Sequence, residues 1–134
     1  MNHAASDASL AQCALFRAMQ PSERQQLLAL MDSVDYGAGE TILREGKSTQ
    51  SLWVIVDGQC QVVKHTKHGI EQVLARLEIC SAFGEMSFFN PAPHSASVKS
   101  VTPVKLLCLP REKYDTLLQA GSTAGQKLAI NTIA

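Results

Sequence analysis

Two short stretches carry the residues best suited to chemistry. Phe83-Gly84-Glu85-Met86 reads as a strand end running into a helix start, and Pro93-His94-Ser95-Ala96 follows it, with His94 nine residues after Glu85. Backbone N–H groups at a helix start have no intrahelical partner and lie at the positive end of the helix dipole, so they favour an anion. Gly84 has no Cβ and lets a ligand approach the backbone closely. Glu85, when ionised, only accepts hydrogen bonds; it gives nothing to a phosphate but suits the hydroxyl of a sugar beside one. Together these residues suit recognition of a joined phosphate and sugar. Bland readings stand beside that one. Glu85 at a helix start also complements the dipole, His94 also reads as a polar loop residue, and Ser95 reads either as a contact to a phosphate oxygen or guanine amino group or as a turn residue opening a strand.

The elements around these stretches follow from apolar spacing. From residue 9 to 32 apolar side chains recur at helical spacing, interrupted by Pro21-Ser22-Glu23, which predicts two short helices. From 34 to 109 the pattern changes to short β-rich runs at 40–44, 52–56, 59–64, 70–77, 95–100 and 104–109, separated by Gly, Pro, Asn or Ser. Asp57-Gly58 reads as a tight hairpin turn and Lys67-His68-Gly69 as a second, exposed one. One helical interruption begins at Gly84-Glu85 and is stopped by Asn90-Pro91-Ala92-Pro93. After residue 109 the pattern is helical to 134, broken at Gly121-Ser122, and still apolar where the sequence stops, which reads as a longer final helix. The fold class is α+β, mainly β: one domain over 1–134, with a small barrel or roll between helices.

Composition narrows the function. With 134 residues, 46% of them hydrophobic, the chain suits a single core, and 12 basic residues against 12 acidic ones offer no bulk attraction to nucleic acid or an acidic membrane. The longest apolar run, 52–56, is too short to span a bilayer, and the first seven residues lack a leader pattern, so the reading is a soluble cytoplasmic protein. Cys13, Cys60, Cys80 and Cys108 are far apart, three of them among apolar neighbours, and read as reduced core thiols rather than a redox pair or zinc knuckle. His65 and His68 have no carboxylate or cysteine beside them to complete a metal shell, and with His3 in the N-terminal tail no oxygenase-like site is apparent. Trp53, Phe88 and Phe89 read as core.

Taken in order, Tyr36-x-x-Gly39-x-x-Ile42-x-x-x-Gly46, Leu52-x-Val54-Ile55-x-x-Gly58, Phe83-Gly84-Glu85 and Pro93-x-Ser95-Ala96 form a set that covers nearly the whole chain. In this set the sequence resembles the cyclic nucleotide-binding domain of catabolite-activator-type regulators, cyclic-nucleotide-dependent kinase regulatory subunits and gated channels. The resemblance implies a β-roll (a double-stranded β-helix or jelly roll) with helices before and after it. It also implies a phosphate-binding cassette within 83–96, with site residues Phe83, Gly84, Glu85, Met86, His94, Ser95 and Ala96. Glu85 would hold the ribose 2′-hydroxyl, and N–H groups around Gly84, Met86 and Ala96 the cyclic phosphate. His94 falls where the family carries arginine. Losing one charged hydrogen bond of about 1.5–3 kcal/mol lowers affinity by about 10- to 100-fold. Cys80 stands where glycine is usual, a position strained for a side chain if φ is positive.

The expected function is a ligand-sensing regulatory domain, not an enzyme, with cAMP or cGMP as ligand and no required cofactor. The expected partner is a protein or a second copy meeting the C-terminal helices, without direct nucleic-acid contact or membrane insertion. The alternative is a degenerate member of the family that serves as a protein-interaction or dimerisation module without nucleotide.

Overall fold

The computed structural model describes residues 10–133; His3, position 9 of the expected helical stretch and Ala134 lie outside them. A 3-10 turn, Ala14–Phe16, leads to helix α1, Pro21–Leu30. Pro21 suits the first helical position, where its missing N–H is not needed, and Gln20 and Glu23 cap the helix reciprocally. Among the described residues, helical Leu10 and this turn stand where the first of the two expected helices falls. Ala18 has φ 65, a left-handed value that a right-handed helix cannot propagate through.

The strands are β1 Asp32–Tyr36, β2 Thr41–Leu43, β3 Ser51–Asp57, β4 Cys60–His65, β5 Glu71–Leu77, β6 Ala82–Phe83, β7 Ser97–Ser100 and β8 Val104–Pro110. Helix α2, Glu85–Phe89, lies between β6 and β7, and α3, Arg111–Gln119, and α4, Thr123–Ile133, follow β8. The strands form two four-stranded antiparallel sheets, ordered β1-β8-β3-β6 and β2-β7-β4-β5. The mainly β roll flanked by helices is thus the architecture, and Gly121, at φ 75, makes the expected break between α3 and α4.

Burial explains why β3 reads as a continuous apolar run. Leu52 and Val54 join Leu107 and Leu109 in a core shared with the helices, where Phe16, Leu27, Phe88, Tyr114 and Leu128 pack. Ile55, with Trp53 packed alongside, joins Leu43, Cys60, Phe83, Val98 and Leu106 in a second core inside the roll. Alternate residues of one strand therefore face two different apolar layers.

Two expectations require correction. Asp57-Gly58 is not a hairpin turn, because β3 and β4 belong to different sheets; it is the corner where the chain crosses between them. Gly58 has φ 94, and a Cβ there would lie 2.4 Å from the Pro103 carbonyl oxygen. The cysteines are not all reduced: Cys13 and Cys80 form a disulfide, their Cα atoms 5.1 Å apart across 67 residues of sequence. Cys80 has the positive φ expected for glycine, 77, in the turn closed by Ser81 N–H donating to the Glu78 carbonyl. Lys67-His68-Gly69 does turn β4 into β5, with Gly69 N–H on the Thr66 carbonyl.

Glu23 fastens α1 to α4. Its carboxylate accepts from Lys127 Nζ at 2.8 Å, Thr123 Oγ1 at 2.6 Å and the Gln20 N–H at 2.7 Å. These bonds, Lys127 first, lower the Glu23 pKa to about 2. A depressed carboxylate pKa stabilises the folded state above the unfolded value near 4.5 and loses that contribution as pH falls through the folded value. Thermal melting should therefore show a loss of stability between about pH 4.5 and about pH 2 that Glu23→Gln reduces. An unchanged acid profile in the variant would rule the Glu23 contacts out as its source.

Candidate functional site

Phe83 ends β6, pairs with Trp53 and stacks on its ring with centroids 6.0 Å apart. Gly84 then turns the chain into α2 with φ 82, and a Cβ at this position would lie 2.7 Å from the Ser51 carbonyl oxygen. Both the sign of φ and the close backbone demand glycine. This turn makes Glu85 the first residue of α2. Its Oε2 is buried and has no hydrogen-bond partner among the described residues, an expensive condition for a carboxylate oxygen facing no donor.

The seven residues expected from the sequence, Phe83, Gly84, Glu85, Met86, His94, Ser95 and Ala96, border one cleft of about 190 Å³. Leu43, Val62 and Val98 from inside the roll provide its apolar wall, and no lysine or arginine is among its described lining residues. Met86 is 76% exposed at the mouth, so it is open to a ligand rather than part of the core.

His94 is buried, and its polar groups are all engaged. Its N–H donates to the Lys47 carbonyl at 2.7 Å, its carbonyl accepts from Gly46 N–H at 2.9 Å, and its Nε2 and Nδ1 lie 2.8 Å from Thr49 Oγ1 and 3.2 Å from Ser87 Oγ. Sequence reasoning did not find Thr49 or Ser87. Ser87 lies two residues beyond Glu85 on α2, but nothing in its spacing marks it as a histidine partner.

Two cations nearby were also missed. Lys64 Nζ donates to the Ser95 carbonyl at 2.7 Å and pairs with Glu45 at 3.4 Å. Glu45 is held below the usual carboxylate range, chiefly by the His65 N–H and further by Lys64. At the other end of α2, Arg111 Nη1 donates to the Phe88 carbonyl at 2.7 Å while its Nε bonds Asp115 at 2.8 Å. Terminal helix carbonyls lack intrahelical donors, so Arg111 satisfies the cassette helix from the first position of α3.

Residues 33–120 match the family described as the cyclic nucleotide-binding domain. The chain belongs to this family. Over 79% of its length the chain is 28% identical to the CRP-like cAMP-activated global transcriptional regulator of Mycobacterium tuberculosis. The chain spans 47% of that regulator's length. The N-terminal domain of a transcriptional regulator from Streptomyces coelicolor superposes with a TM-score of 0.84 at 27% identity, covering 93% of this chain and 87% of that one. The regulatory domain of Toxoplasma gondii PKA, solved with cAMP, superposes with a TM-score of 0.74 at 25% identity over 87% of this chain and 44% of that one. Each of these relatives is named as a regulator or as a domain of a regulatory protein. Among the described residues no helix of the cyclic nucleotide-binding domain is long and apolar enough to cross a membrane.

Proposed function

We propose that this domain senses a cyclic nucleotide, cAMP or cGMP, in the 83–96 cleft with reduced affinity, and passes the binding event to a protein partner or second copy through α3 and α4. The buried Glu85 Oε2 without a partner carries this reading, because a ribose 2′-hydroxyl would give it the donor it lacks. The N–H groups around Gly84, Met86 and Ala96 would take the phosphate, Ser95 would add a hydroxyl, and Phe83 and Met86 would border the ligand. The cAMP named with two relatives supports the adenine form. Arg111 links α2 to α3 and offers the route by which a displaced cassette helix would move the C-terminal helices. The role is regulatory, without catalysis or a required cofactor, and cytoplasmic, with no direct nucleic-acid contact from this segment.

A second reading is a degenerate module without nucleotide. It is supported by the engagement of both His94 ring nitrogens and by the absence of lysine or arginine from the described cleft lining. Calorimetry with cAMP, cGMP and cyclic dinucleotides, on the natural chain and on His94→Arg, separates the two. The sensing reading expects binding by both, tighter by about 10- to 100-fold in the variant. Binding by the variant alone favours the degenerate module, and heat from neither ends the nucleotide reading.

A further inference from the structure

The hydroxyl of Ser87 donates to the Ala92 carbonyl at 2.8 Å. A hydroxyl has one proton, so with that proton committed Ser87 Oγ can only accept from His94 Nδ1, 3.2 Å away. A neutral imidazole protonated at Nδ1 leaves Nε2 as an acceptor, and Thr49 Oγ1, bonded to it at 2.8 Å, must then donate. The four groups form a one-way relay: Thr49 O–H to Nε2, Nδ1–H to Ser87 Oγ, Ser87 O–H to the Ala92 carbonyl.

We infer that His94 is a positioning residue, which holds the cassette through this relay instead of gripping a phosphate with its side chain. The relay joins three segments: the loop between β2 and β3 through Thr49, helix α2 through Ser87, and the return segment through Ala92 and His94 itself. It thereby fixes the distance between Glu85, two residues before Ser87 on α2, and the N–H of Ala96, two residues after His94. His94 is 9% exposed and Ser87 4%, so solvent competes little for either. Arginine has donors only and cannot accept from Thr49. The histidine thus exchanges a ligand-directed cation for a built-in brace, and the brace needs no nucleotide.

Long-range proton–nitrogen NMR of the full chain at about pH 8, where an ordinary histidine is neutral, reads the tautomer directly. The expected result is one species for His94, protonated at Nδ1 and bare at Nε2. Ser87→Ala removes the acceptor and should transfer the proton to Nε2, with the Thr49 hydroxyl turning to accept it, whereas Ser87→Thr should retain the Nδ1 form. In His94→Ala, amide exchange across 84–96 should quicken by about 10- to 100-fold, the scale of the two hydrogen bonds lost. An Nε2–H or mixed tautomer in the natural chain overturns the relay, as does a tautomer indifferent to Ser87→Ala. Because this readout contains no ligand, failure of nucleotide binding leaves it standing.

Discussion

Replacing Phe88 with alanine should destabilise the domain by about 3–5 kcal/mol, the range for a buried aromatic whose cavity its neighbours only partly fill. Phe88 is fully buried in the core shared with the helices. Its ring meets Phe89 edge-on with centroids 4.9 Å apart and Tyr114 at 5.1 Å, and the Arg111 guanidinium lies 5.8 Å from its centre. The loss should be visible as a lower urea midpoint at unchanged slope. A change under about 1 kcal/mol would mean that the aromatic cluster is not a principal support of the fold. Because Phe88 is on α2 and Tyr114 on α3, the same substitution should loosen the cassette helix from the C-terminal helices. Amide exchange in α3 should then quicken together with that in α2.

Breaking the Cys13–Cys80 bond should cost about 4 kcal/mol, the chain-entropy value for a closed loop of this length. The bond ties the segment before α1 to the turn that precedes β6 and Gly84, across 67 residues of sequence. Cys13→Ser and the natural chain in dithiothreitol should unfold at the same, lower denaturant concentration, and the oxidised natural chain at a higher one. Coincident transitions with and without reductant would sink this prediction. The oxidised and reduced proteins should thus be two stability states of one fold.

Local chemistry made part of the site legible. Gly84 and Glu85 announce a glycine turn into a helix start, and the family resemblance implies that Pro93–Ala96 returns beside it; all seven residues so expected border one cleft. The run at 52–56 is a strand because its alternate residues enter two cores. What escaped the sequence depends on distance in the chain or on an uninformative pattern. Strand β1, Asp-Ser-Val-Asp-Tyr, is half polar and exists because its backbone pairs with β8 from Asp32 opposite Cys108 to Tyr36 opposite Val104. Thr49 reaches His94 across 45 residues, and Cys13 reaches Cys80 across 67, contacts that only the folded topology brings about. The Asp57-Gly58 corner has the residues of a hairpin, and only the sheet assignment of its flanking strands separates the two.

The two remaining thiols give the molecule its own internal standard. Cys60 is fully buried and its pKa is pushed up to about 11 by desolvation; Cys108 is 7% exposed and is raised for the same leading reason. Neither offers an alkylating reagent much thiolate while the fold holds. Mass labelling of the reduced, folded protein should accordingly modify Cys80, half-buried in its turn, first, and label at 13, 60 and 108 reports opening of the cores, because Cys13 is only 3% exposed. One reagent and one mass spectrum can then tell a severed cross-link from a melted domain.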